Sequence, residues 1–555
     1  MAHAAGNSQM SSTDAAWLPL VQHLFDDDCV AIEDLDRKLA SIHEYEILAK
    51  QKRNARVGAC KLPPEIVGEI LSFAHALWPP RRIERAVEKP YGAGWMSLTH
   101  VCSFWRKVAI ALPALWQNVN ILDVHPNYSN DILTRSARRP LRLSSRADLR
   151  FVDTDAHVML AERIWLNASV LHRVEELELR CGKISSFAIQ ALTQPTPAMR
   201  VLDISSRRYC VLPPNLLNSD TDPCQLRELR IVGCALPPDT RLLASNLVHL
   251  DLGYGRIALK DHHITTAHML QAISIMTALE SIQLHDVPRP ANGHDADTPL
   301  SHVNLPDVFN SLNIEVSDTA FLVPLAELME HLSVPPTTAL YVLMYVEDVD
   351  VQTLMQCHRL VEVMKRYRAH YSSPLELSII EPEYHLRPVG AGSSLTGFSQ
   401  ILSIAESNDV MYSLLPTFSY THVVSLLLED PALLGTMHQV AGENPWTESF
   451  SSALSVESLT TCFSRSDKLW PALYQPGSNL FPKLETIIVL EPTTLRDLSD
   501  ELSKSTLRPI ALDMIKAVEL RRTAETPIRE VKMPESMSGW DVWGPLRSLV
   551  KVTTL

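Results

Sequence analysis

Apolar residues recur at Ile32, Leu35, Leu39, Ile42 and Ala49, steps of three, four and seven with charged residues between them. This spacing predicts one amphipathic helix over 32–49. Its polar side carries Glu33, Asp34, Asp36, Arg37, Lys38 and Glu44, and it runs into Lys50, Lys52, Arg53 and Arg56, cations that suit a helix C-terminal end. The stripe is expected to pack onto the next segment or, alternatively, to pair with a second copy as a short coiled coil; Glu46 interrupts it for the second role.

The stretch LPPEIVGEILSFAH at 62–75 predicts a second helix. Its prolines stand where a helix starts without losing a needed N–H, Glu65 lies in the first turn, and Ile66, Val67, Ile70, Leu71 and Ala74 share a face. Pro79 and Pro80 end it. After the polar stretch RRIERAVEKPYGAG comes WMSLTHVCSFWRKVAIALPALW, where Leu98, Val101, Cys102, Trp105, Val108, Ala109 and Leu112 keep helical steps and predict a third helix. Pro113 interrupts it, and Leu115 and Trp116 follow on a short connector. Leaving such side chains in water would cost about 1.5–3 kcal/mol each. Two short helices cannot bury them all, so a covering surface from elsewhere is expected.

Three linked motifs in order, Leu62-Pro63-Pro64-Glu65-Ile66, then Val101-Cys102-x-x-Trp105-Arg106, then Leu115-Trp116, resemble the F-box, and their spacing resembles the fungal F-box proteins. The resemblance covers about 61–120. It implies a docking module that performs no chemistry and binds the Skp subunit of cullin–RING ubiquitin ligases through an apolar helical surface. Carried over residue by residue, the docking or docking-support set is Leu62, Pro63, Ile66, Ile70, Leu71, Val101, Trp105, Leu115 and Trp116. Which of these face the adaptor and which support the module's own core is left open. A plain helical hairpin within a larger α domain would explain the periodicity but not the ordered motifs.

Beyond residue 120 the pattern changes to short apolar bursts separated by turns such as LPPNLLNSDTDP and VPRPANGHDADTP. A frame of apolar-x-x-apolar-x-apolar fits Val174/Leu177/Leu179, Met199/Leu202/Ile204, Leu226/Leu229/Ile231, Leu247/Leu250/Leu252, Leu279/Ile282/Leu284 and Phe309/Leu312/Ile314. It returns at Val423/Leu426/Leu428, Leu484/Ile487/Val489 and Ile515/Val518/Leu520, with the weaker runs ALYVLMYV and PLELSII between. Steps of 21 to 32 residues between the middle positions Leu177, Leu202, Leu229, Leu250, Ile282 and Leu312 resemble leucine-rich repeats. In that family each unit adds one strand to a parallel, curved sheet. Cys234 occupies the family's Asn/Cys position, whereas Gly182, Arg207 and Gly255 depart from it.

The expected fold class is therefore α+β: a small helical F-box module followed by an irregular leucine-rich-repeat-like α/β solenoid. Its expected divisions are a flexible N-terminus at 1–29, the amphipathic helix at 30–60, the F-box at 61–120, a basic connector with first strands at 121–165, and the solenoid at 166–555. The alternative for the long region is an α/β domain of another kind.

Composition narrows the functional classes. The 555 residues are 46% hydrophobic and 21% charged, a folded rather than disordered profile. A formal charge of −14 disfavours nucleic acid as a partner. Nine scattered cysteines without a CxxC pair, and no leader-like or membrane-spanning stretch, predict reduced thiols and a cytoplasmic or nuclear location with no membrane partner. Arg135, Arg138, Arg139, Arg142, Arg146 and Arg150 form a basic patch that is expected to be solvated, with Asp131, Asp148 and Asp153 as counter-charges, or alternatively to read a phosphorylated partner. Asp261-His262-His263 with His268 lacks a second ligand cluster, and GAGSSLTG at 390–397 lacks the Lys-Ser/Thr ending of a phosphate cradle. No metal or cofactor is expected.

The expected activity is that of a non-catalytic substrate receptor in a Skp–cullin–F-box type ubiquitin ligase. Its partners would be a Skp-type adaptor, through it a cullin, and a protein target held by the repeats. The alternatives are a non-degradative F-box scaffold and, less supported, an enzyme within 121–555.

Overall fold

In the computed structural model, residues 19, 22, 23, 25 and 31–555 are described, apart from 83–90, 147–154, 218–224, 239, 255–262, 291–298, 346–349, 369–372, 381–382, 391–398, 406–407, 430–444, 476–479 and 492–500. Nearly all of the expected flexible N-terminus and of the glycine-rich loop, and Arg150, Asp148, Asp153, Asp261 and His262, lie outside them. The chain divides into two compact units, Met1–Arg139 and Pro140–Leu555, with the division inside the stretch expected to connect module and repeats.

The first unit is helical. Helix α1 (Ile32–Asn54) opens with Glu33 and Asp34 and closes with Lys52 and Arg53, charges that complement the helix dipole at each end. None of its residues is fully buried; within the stripe Leu35 and Ile42 are half-buried, and Ile32, Leu39 and Ala49 are exposed. Helix α2 (Pro64–Leu77) starts at the second of the two prolines and buries Val67, Gly68 and Leu71. The third helix is shorter than expected. Gly94–His100 forms a 3-10 turn, Cys102 is fully extended with φ −160° and ψ 169°, and only Ser103–Ile110 is helix α3. The thiol of Cys102 supplies the physical reason: its Sγ accepts from Trp105 N at 3.5 Å and so caps a new helix start where periodicity alone shows none.

The second unit is a mixed α/β structure built on one large, mostly parallel sheet. Its strands are β1 (Leu141–Arg146), β2 (Val174–Cys181), β3 (Val201–Val211), β4 (Glu228–Ala235), β5 (His249–Gly253), β6 (Ser281–His285), β7 (Ser311–Val316) and β8 (Ala339–Tyr345). After these come β9 (Leu375–Ile380), β10 (Glu383–Pro388), β11 (Ser399–Ala405), β12 (Val423–Leu428), β13 (Ser458–Cys462), β14 (Thr486–Leu490), β15 (Glu530–Met533) and β16 (Lys551–Thr554). Parallel pairing runs strand by strand from β1 to β8. Strand β8 then pairs with β11, and antiparallel β10 lies between β11 and β9. Parallel order resumes from β9 through β12 to β16.

The apolar frame explains this register. Leu177, Leu202, Leu229, Leu250, Ile282, Leu312 and Leu340 are successive Cα partners, and so are Leu179, Ile204, Ile231, Leu252, Leu284, Ile314 and Val342. All are buried. A one-residue slip would turn each such row to the opposite face, which fixes the alignment. At about 1.5–3 kcal/mol per buried side chain, these rows are the main cohesion of the sheet. Helices cover the buried face between strands, for example α4 (Leu322–Glu330) against α5 (Val351–Arg368), where Arg359 grips Glu330 through two hydrogen bonds of 3.0 and 2.7 Å.

One expected strand is a helix. Ile515, Val518 and Leu520 lie within α6 (Glu501–Thr523), where Leu507, Ala511, Met514, Ile515, Val518 and Arg521 are buried at helical spacing and Leu520 points outward. A step of three is shared by the strand frame and by a helix, so the triplet alone cannot separate them. The antiparallel β9–β10 hairpin is also a departure from the expected all-parallel repeat.

Between the pairs Ser205↔Val232 and Cys210↔Cys234, β3 bulges by four residues against the single Gly233 of β4. Gly233 has φ +73°, and a Cβ there would lie 1.8 Å from Ser206 O. Gly233→Ala is therefore expected to destabilise the sheet unit by more than about 1 kcal/mol, read as a lower urea midpoint at unchanged slope.

Candidate docking surface

Helix α2 has two apolar faces. Val67 and Leu71 point into the unit, and Gly68 lets Leu112 approach, since a Cβ at Gly68 would meet Leu112 Cδ1 at 3.1 Å. On the outer side Ile66, Ile70, Phe73 and Leu77 follow steps of four, three and four, a single stripe on the helix surface. Ile66 is 47% exposed, Phe73 68% and Leu77 81%, while Ile70 is half-buried. Trp78 at the helix end, Val101 before α3 and Ile110 at its last turn add further exposed apolar side chains. Scattered apolar residues on a surface mean little, whereas a continuous helical stripe is a candidate interaction face.

Trp105 and Trp116 do the opposite. Trp105 is buried and donates from Nε1 to Ala59 O at 3.2 Å. Trp116 donates from Nε1 to Ala109 O at 2.9 Å, packs on Trp95 at 4.9 Å between ring centroids, and has the Arg135 guanidinium 4.7 Å over its ring. His75 packs on Trp95 as well, and burial holds its pKa below the usual imidazole value. Leu115 and Trp116 were expected to need a covering surface from elsewhere, and the contacts of Trp116 come from this unit itself: the connector folds back so that the indole N–H satisfies a backbone carbonyl of α3.

The nine residues singled out by motif therefore divide. Leu71, Trp105, Leu115 and Trp116 are buried; Leu62 and Ile70 are half-buried; Pro63, Ile66 and Val101 are exposed. Pattern reading missed Phe73, Leu77, Trp78 and Ile110. Continuing the spacing from Ile66 through one more turn would have found Phe73 and Leu77.

In the second unit, the sheet face opposite the apolar rows is polar and charged. Arg146 bonds Glu178, Arg180 bonds both Glu178 and Asp203 at 2.7 Å, and Arg230 meets Asp251 at 3.1 Å. An open groove of about 300 Å³ runs across β3 to β6, lined by Asp203, Glu228, Arg230, His249, Asp251 and Gln283 among others. Burial raises the pKa of Asp251 and of Glu176, so neither carboxylate is as well solvated as a surface group. Three of the six arginines of the basic patch are paired: Arg142 with Glu176 and Arg146 with Glu178 in this unit, and Arg135 with Asp131 in the first. Two of those counter-charges come from the neighbouring strand rather than from the acids nearest in sequence.

His263 is fully buried and stacked on Tyr254 at 3.9 Å, and its carbonyl accepts from Arg289 Nε at 2.9 Å. His268 bonds Thr265 through Nδ1 at 2.6 Å. Among the described residues no group of three side chains is placed to hold a metal ion, and no helix is long and apolar enough to cross a membrane. Asn167 caps a short helix (Ala168–Leu171) by accepting from Val170 N at 3.2 Å. The chain matches no known family and no curated protein.

Proposed function

We propose that the chain is the substrate receptor of a Skp–cullin–F-box type ubiquitin ligase, with the helical unit as an F-box and the sheet unit as an irregular leucine-rich-repeat-like solenoid. The observation that carries this reading is the outward stripe Ile66, Ile70, Phe73 and Leu77 on a helix whose other face is already packed. Such a face has no use inside the unit and suits an apolar helical partner, and it lies on the LPPE segment where the motif resemblance puts adaptor docking. The aligned apolar rows, one strand every two to three dozen residues, support the repeat reading, and the charged face with its groove suits a protein target. The receptor would do no bond chemistry; holding target and adaptor on one chain raises the local concentration of target at the ligase.

The test is direct. Purified full-length chain mixed with a recombinant Skp-type adaptor is expected to co-elute as a one-to-one complex in size-exclusion chromatography. Separate elution of both folded proteins at micromolar concentration would overturn the reading.

A further inference from the structure

The Sγ atoms of Cys210 and Cys234 lie 3.0 Å apart on neighbouring parallel strands, in register as Cα partners. Paired strands run about 4.7–4.9 Å apart, inside the Cα separation that a disulfide spans. The four-residue bulge of β3 facing Gly233 brings these two side chains together, and the left-handed backbone of Gly233 holds it in place. The two thiols differ in access. Cys210 is half-buried, whereas Cys234 is fully buried.

We propose that Cys210 and Cys234 form a peroxide-oxidisable pair, with Cys210 as the thiol that attacks peroxide and Cys234 as the resolving one. In the first step the Cys210 thiolate attacks one peroxide oxygen; the O–O bond breaks, sulfenic acid forms, and the leaving hydroxide takes a proton to become water. In the second step the Cys234 sulfur attacks the sulfenic sulfur, the S–O bond breaks, and a second water leaves with the Cys234 proton. Two thiols lose two electrons in total and one hydrogen peroxide gains them.

The hydrogen bond between the thiols supports these roles, because it holds Cys210 below the ordinary thiol pKa and pushes Cys234 up. Cys181, on the next strand, is the competing thiol. It is in register with Ser206, four residues short of Cys210, so it is a Cα partner of neither cysteine. The pair lies toward the C-terminal ends of the two strands whose earlier residues Asp203, Glu228 and Arg230 line the groove, so a bond there would tie together two walls of that groove. The inference does not depend on the ligase reading.

The test uses full-length protein treated with hydrogen peroxide, alkylated, digested and read by mass spectrometry, with fragmentation to assign each cysteine. A Cys210–Cys234 linked peptide that disappears on reduction is expected. Cys234→Ser should leave a dimedone-reactive sulfenic acid at Cys210, and Cys210→Ser should leave Cys234 unmodified. Recovery of both residues as alkylated thiols in the wild type, or linkage of Cys210 to another cysteine, would overturn the proposal, and neither outcome requires a variant to fold.

Discussion

Trp116→Ala is expected to destabilise the helical unit by about 3–5 kcal/mol, the range for removing a fully buried tryptophan. The side chain is 2% exposed. Its loss removes the packing on Trp95, the Arg135 guanidinium over the ring, and the donor to Ala109 O. Ala109 O keeps the backbone N–H of Leu112 at 3.3 Å, so the cost comes from the lost packing rather than from an orphaned carbonyl. Small helical units have a stability of this same order, so the variant should lose most of its protection. Hydrogen exchange over 64–116 measures it: near-complete loss of slow amides is expected in Trp116→Ala and wild-type rates in Phe73→Ala. Equal protection in wild type and Trp116→Ala would show that the indole is not a core element.

That contrast also explains what the sequence made legible. The start of α2 at Pro64 follows from local chemistry, since a proline there removes no hydrogen bond and presets φ. The break ahead of α3 does not, because it depends on a thiol capping a backbone N–H, which periodicity cannot register. In the sheet, apolar triplets could be read because one buried face forces the same frame on every strand. Strand β13 was hidden because Thr461 fills an inward position and is nonetheless fully buried. Strand β15, with Ile528, Val531 and Met533 in the frame and all buried, was open to the same reading and was missed.

The docking face was half legible for a similar reason. Ile66 and Ile70 carry the motif, but whether an apolar helical position points to the core or to solvent is decided by what packs against it, not by its spacing. Val67 and Ile66 are adjacent and equally apolar, yet Val67 is fully buried and Ile66 half exposed. Trp105 and Trp116 are the strongest marks in the motif, and both are buried in the core of the helical unit. A docking test based on Trp105→Ala would therefore confound lost folding with lost binding.

A variant that separates the two combines Ile66→Asp, Phe73→Ala and Leu77→Lys. The carboxylate lies in the first turn of α2 and the ammonium in the last, where each is favoured by the helix dipole by about 0.3–1 kcal/mol, so the helix itself should be retained. None of the three side chains is buried, and exposed substitutions of this kind shift stability by about 0.5 kcal/mol or less. Binding should respond differently. Removing an aromatic anchor from the centre of an interface costs about 2 kcal/mol or more, and burying two unpaired charges against an apolar partner adds to it. A total above about 3 kcal/mol corresponds to more than a hundredfold loss of affinity. Titration calorimetry of the full-length variant against the Skp-type adaptor should show that loss while the unfolding midpoint stays at the wild-type value. Wild-type affinity in the triple variant, with its fold intact, would move docking off α2 and remove the observation on which the receptor reading stands.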